Sequence, residues 1–93
     1  MDNIIVCDAD GIAIGHFNTF RWWDGVNIED FEIYPEYRGK GYAYKLLDVA
    51  VKQYGVRNLA VTRNNTIAYH TYYRYGFRTM AVDDAYLYMS ITD

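Results

Sequence analysis

Arg38, Gly39, Lys40 and Gly41 form a cationic, glycine-containing segment that leads straight into a run with helical periodicity. Amides at a helix start have no intrahelical acceptor and carry the positive end of the helix dipole, so several of them together hold an oxyanion that reaches them. Gly39 and Gly41 let backbone approach an anion with no Cβ in the way, while Arg38 and Lys40 add positive charge at the same point. The chemistry implied is the binding of a diphosphate. A Gly-x-Gly at a strand-to-helix junction is also ordinary turn chemistry, and taken alone the motif leaves both readings open. It is neither a dinucleotide loop, which wants a third glycine where Tyr44 stands, nor a Walker loop, because Gly39-Lys40 is followed by Gly41.

Other residues capable of chemistry are scattered. Glu29, Asp30 and Glu32 crowd one short strand, where they are inert on a solvated edge but able to accept a proton beside a cleft. His16 shares a predicted strand face with Ile12 and Ile14 and reads as a half-buried strand residue rather than a catalyst. Cys7, the single cysteine, has no internal disulfide partner and reads as a small buried apolar residue rather than a nucleophile. Trp22 and Trp23 are adjacent and cannot both face inward from a strand. Their loop is a candidate for acceptor binding or self-association, or else packs over the sheet edge.

The elements that position these groups follow from the pattern of apolar residues. Runs 3–7 and 11–20 flank Asp8-Ala9-Asp10-Gly11 and predict a hairpin. Residues 26–34 predict the strand that feeds the glycine turn and breaks at Pro35. Period two puts Asn27, Glu29, Phe31 and Ile33 on one of its faces and Val26, Ile28, Asp30 and Glu32 on the other. Ala43, Leu46, Leu47, Ala50, Val51 and Tyr54 trace the stripe of an amphipathic helix that Gly55 caps. A strand at 56–62 completes a βαβ unit with parallel strands and a right-handed crossover. Asn64 and Asn65 then cap a second helix through about Tyr75, ended by Gly76, and a closing hairpin runs from Phe77 to Thr92 about Asp83-Asp84. Ligands of such units bind at the carboxyl ends of the parallel strands, which is where the glycine turn lies.

Composition bounds the rest. Ninety-three residues suit one small domain, 52% hydrophobic content indicates a folded chain, and a formal charge of −3 argues against nucleic acid or an anionic membrane as partner. No apolar run approaches the roughly 20 residues of a membrane span, and no basic-then-apolar leader opens the sequence, so a cytoplasmic location is expected.

Arg38-Gly39-Lys40-Gly41-Tyr42-Ala43 resembles the Arg/Gln-x-x-Gly-x-Gly/Ala signature of the GNAT superfamily of N-acetyltransferases, and Ile33-Tyr34-Pro35 fits the Val-x-Pro approach to it. Asn65, Ala68, Tyr72 and Gly76-Phe77 are similar to the second acetyl-CoA motif of that superfamily, in its order and at its usual separation. Together the two stretches span residues 26–82, and their conjunction is far more specific than either part.

The resemblance implies an α+β fold, a twisted mixed sheet with a central βαβ unit, two main helices and a C-terminal hairpin, forming a single domain over residues 1–93. It implies acetyl-CoA as co-substrate, lying between the two parallel strands. The diphosphate would sit on amides near Arg38 to Ala43, which include Gly39, Lys40, Gly41 and Tyr42, and the pantetheine arm would pair with backbone at Phe31 to Ile33. Tyr72 takes the general-acid position, although the spacing of Ala68, Tyr72 and Tyr75 also suits a core stripe. Asn65 serves as helix cap and cofactor contact, and Arg74 either reaches an outer phosphate or is solvated.

Two departures stand out. The superfamily normally opens with a strand and two helices that wall the acceptor site, whereas here only a short hairpin precedes the cofactor strand. The acceptor side is then open to a bulky amine or to a second subunit, and a homodimer would cover apolar surface there. The position aligned with the usual basic Glu is Asn27, which takes no proton and leaves Glu29 as the nearest carboxylate, or a water relay. The expected activity is acetyl transfer to a primary amine by direct attack. Its rivals are an acyl-CoA-binding or interaction module without turnover, and a small domain whose glycine turn is purely structural.

Overall fold

The computed structural model describes residues 2–22 and 25–92. Trp23 lies outside them; of the expected tryptophan loop, Arg21 and Trp22 instead extend one strand and Gly25 opens the next. Strands β1 (Asp2–Cys7) and β2 (Ala13–Trp22) form the first hairpin. The Asp8 carboxylate closes its turn by accepting from the amides of Asp10 at 2.9 Å and Ile12 at 3.0 Å, and Gly11 supplies the left-handed residue at φ +81°. Next come β3 (Gly25–Ile33), a 3-10 turn (Pro35–Tyr37), α1 (Tyr42–Asp48) with a π-helical continuation (Val49–Gln53), and β4 (Val56–Thr62). The chain closes with α2 (Thr66–Tyr75), β5 (Arg78–Val82) and β6 (Tyr86–Ser90). The six strands make one sheet in the order β1-β2-β3-β4-β6-β5, parallel only at β3–β4. The expected α+β architecture is present, with β6 inserted between β4 and the edge strand β5.

Both helices cover the same sheet face. Leu46, Leu47 and Ala50 from the first helical stretch and Tyr72 from α2 share one core with Ile14, Phe17, Ile28, Leu59 and Met89. The helices touch through the tilted rings of Tyr44 and Tyr75, 5.9 Å apart, and through the Tyr75 hydroxyl, which donates to Asp48 at 2.7 Å. That bond holds the Asp48 carboxyl below the usual carboxylate range. Burial, with the Asp48 bond adding to it, pushes the Tyr75 phenol up to about 12. The predicted stripe fails only at its end. Wider π-helical turns over Val49–Gln53 rotate Tyr54 away from the core, leaving it 39% exposed with its ring edge against Phe17.

The strict period two expected along β3 does not hold. His16 pairs with Glu32 but Asn18 pairs with Glu29, so a β-bulge inserts one extra residue into β3 opposite Phe17. Asp30 absorbs it at φ +54°, the one positive φ outside glycine among the described residues. Cross-strand partners share a face, so Asn27 and Glu29 point to the sheet face away from the helices together with Phe20, Asn18 and His16. Ile33 pairs with Gly15 on the helical face, and the Phe31 ring stands there against Tyr72. The expected grouping of Asn27, Glu29, Phe31 and Ile33 is therefore divided between two faces by the bulge. Ile12 also leaves its expected face, lying 51% exposed in the turn, and Cys7, expected to be buried, is exposed at the end of β1, while His16 is half-buried as expected.

Candidate functional site

The site begins where two parallel strands part. β3 and β4 are paired at Val26–Val56, Asn27–Asn58 and Ile28–Leu59, yet β3 runs on to Ile33 and β4 to Thr62 without further pairing. A V-shaped gap opens between their carboxyl ends. The Tyr34 amide bonds to the Ile14 carbonyl at 3.0 Å on the β2 side, so by the alternation of the ladder Phe31 and Ile33 turn their backbone polar groups toward the gap.

At the same end lies the glycine turn. Gly39 and Gly41 adopt φ +76° and +84°, values that suit residues without a Cβ. A Cβ added at either would meet nothing within 4 Å, so the backbone there faces open space. The Arg38 amide is turned inward on the Pro35 carbonyl at 3.4 Å, and Tyr44 bonds to Gly41 at 3.3 Å. Between them the amides of Gly39, Lys40, Gly41, Tyr42 and Ala43 engage no backbone acceptor among the described residues. The Tyr42 ring stands edge-on to Tyr37, 5.6 Å between centroids, which braces the turn.

The predicted cations divide. Arg38 Nε donates to the Ile33 carbonyl at 2.9 Å and its Nη2 lies 3.6 Å from Glu32 Oε2, so its side chain ties the turn to the end of β3. Lys40 and Arg74 are exposed and make no ion pair or hydrogen bond among the described residues. Asn65 caps α2 through its side-chain oxygen, which accepts from the Ala68 amide at 3.2 Å.

Tyr72 reaches the gap from the helical side. Its ring is 8% exposed and lies edge-on to Phe31, with centroids 5.8 Å apart. Burial pushes the phenol up to about 12. No buried side-chain polar atom lacks a partner among the described residues, so the Tyr72 hydroxyl, which makes no hydrogen bond, keeps an accessible edge. Glu29 is exposed on the opposite sheet face. Asn27 is buried there, and its Nδ2 donates to the carbonyls of Trp22 and Gly25, both at 3.3 Å.

One group escaped the sequence reading. His16 Nδ1 lies 3.1 Å from the Tyr34 hydroxyl, and its Nε2 lies 3.4 Å from Asp30 and 3.7 Å from Glu32. The signal was the bulge, which brings Asp30 and Glu32 to one histidine. An acid tolerant of left-handed backbone in the middle of a strand was its only trace.

The sequence profile of the Acetyltransferase (GNAT) family matches residues 2–77. No curated protein matches at a significant level. Among solved structures, the nourseothricin acetyltransferase is 30% identical with a TM-score of 0.71, over 89% of this chain and 59% of that one. PH1933 from Pyrococcus horikoshii OT3 shares the fold at a TM-score of 0.80 and 20% identity, over 98% of this chain and 64% of its own. The PaiA N-acetyltransferase from Thermoplasma acidophilum, solved in complex with coenzyme A, superposes at a TM-score of 0.71 and 23% identity, over 91% and 57%. This chain thus spans 57% to 64% of the length of these three structures. With the parted strands and the profile match in agreement, the chain belongs to the GNAT acetyltransferase family.

Proposed function

We propose that the protein transfers an acetyl group from acetyl-CoA to a primary amine by direct attack. The observation that carries this reading is the coincidence, at one end of the sheet, of the β3–β4 gap, the unengaged amides from Gly39 to Ala43 and the Tyr72 phenol. In this reading those amides hold the diphosphate, with Lys40 and Arg74 as outer charges, and the pantetheine pairs with Phe31 and Ile33. Asn65 fixes the start of α2 beside it.

A thioester in the gap is reached from both sheet faces. From the open face the amine lone pair forms the N–C bond, and the proton that nitrogen sheds goes to Glu29 directly or through water. The C–S bond then breaks with its electron pair on sulfur. From the helical face Tyr72 donates to that sulfur as it leaves. A phenol near 12 holds its proton more tightly than an ordinary thiol near 8.5, so its support is a hydrogen bond that strengthens as charge builds. The apolar gap narrows that mismatch, because burial raises a thiol as well.

Purified protein mixed with acetyl-CoA and a panel of primary amines is expected to release free CoA thiol only when an amine is present. Acetyl-CoA binding without thiol release across the panel would instead support a second reading, an acyl-CoA-binding module. The Asn27 side chain favours that reading, being committed to two backbone carbonyls and unable to take a proton.

A further inference from the structure

The sheet face opposite the helices is hollowed beside the gap into a cavity of 730 Å³, a size typical of small-molecule sites. Its depth comes from Ala60 and Ala81, whose side chains leave room between bulkier neighbours. Near the bulge Glu29 and Asp30 form one wall, and Tyr86 and Tyr88 of β6 form the other, their rings 6.2 Å apart. At the far end lie Phe20 and Trp22. The Tyr88 hydroxyl donates to the Asp83 carboxylate, which fixes its ring and holds the phenol neutral.

The charge is of one sign. Among the described residues no lysine or arginine lines the hollow. Glu29 makes no ion pair or hydrogen bond among the described residues, and Asp30 meets His16 Nε2 only at 3.4 Å. Carboxylates and aromatic rings lining one hollow attract a cation and repel an anion. An attacking amine must be neutral and has use for one proton acceptor. A second carboxylate and a pair of ring faces serve a positive charge that persists while the amine reacts.

We propose that this hollow binds a linear organic dication, an aliphatic diamine or longer polyamine, with one nitrogen at the gap and another ammonium held by Asp30 and the tyrosines. Its role as acceptor rests on the acetyl-transfer reading, whereas the binding itself does not. In that role one nitrogen becomes the amide, the thioester sulfur leaves as thiol, and the second ammonium is unchanged.

Calorimetric titration of the full chain with 1,4-diaminobutane, 1-aminopentane and 4-aminobutanoate tests the proposal, since the first two have equal numbers of heavy atoms and differ in charge. The diamine is expected to bind at least about tenfold more tightly than the monoamine, a charge preference of about 1.4 kcal/mol, and the amino acid more weakly than either. Tyr86→Ala, at an exposed position, and Ala60→Leu, which fills the hollow without altering charge, are each expected to abolish the preference. Thermal stabilisation of both variants by acetyl-CoA should match the parent. Equal binding of diamine and monoamine, or a preference untouched in both variants, would overturn the proposal. Thiol release without diamine preference defeats the dication site and leaves acetyl transfer standing. Diamine preference without thiol release upholds the site and defeats acetyl transfer.

Discussion

Tyr72 carries the sharpest residue-level expectation. Tyr72→Phe keeps the ring that packs on Phe31 and Phe77 and removes only the hydroxyl. Thiol release should fall by about 10²–10⁴-fold, the usual worth of a positioned proton donor, with acetyl-CoA affinity nearly unchanged. A parallel loss of binding would mean that the hydroxyl positions the cofactor instead. With its pKa near 12, the phenol stays protonated across the working range, so no fall in rate on the alkaline side should trace to it below about pH 10. The burial of Tyr72 and the cap at Asn65 were legible because helix periodicity and capping chemistry mark them, whereas the acid role of Tyr72 comes from the family resemblance alone. The use Arg38 makes of its side chain was not, since nothing in the sequence says that a guanidinium drawn as a phosphate ligand also reaches the Ile33 carbonyl.

At the scale of elements, two glycines do different work. Gly15 lies where β2, β3 and α1 meet, and a Cβ there would stand 2.4 Å from the Glu32 carbonyl oxygen and 2.9 Å from Leu46. Gly15→Ala is therefore expected to lower stability by about 1–3 kcal/mol in denaturant melts, as overpacked cores do. Gly41→Ala meets no atom but must hold φ +84°, so it should cost about 1–2 kcal/mol from backbone strain and also weaken acetyl-CoA. Equal melting of Gly15→Ala and the parent would contradict the described packing. The strands, helices and hairpin turns were readable because apolar periods and Asp-Gly, Asn and Gly punctuation set them locally. The bulge at Asp30 was not, because it answers to pairing with His16 to Asn18 across the neighbouring strand β2. It is also what sends Glu29 and Phe31 to opposite faces.

Across the whole molecule, one sheet face is packed under both helices while the other is open among the described residues, and the β3–β4 gap connects them. The glycine motif pointed to that end of the sheet, but the aromatic and acidic hollow could not be foreseen, being gathered from β2, β3, β4, β5 and β6 by strand order alone. No helix among the described residues is long and apolar enough to cross a membrane. The central claim, that amides at the helix start receive a nucleotide diphosphate, is tested most directly by backbone amide resonances recorded during titration with acetyl-CoA. The largest shifts and the strongest new protection from exchange are expected at Gly39 to Ala43, with smaller changes at Phe31 and Ile33. Saturable binding that leaves those amides unmoved, or no binding at millimolar acetyl-CoA, would contradict it.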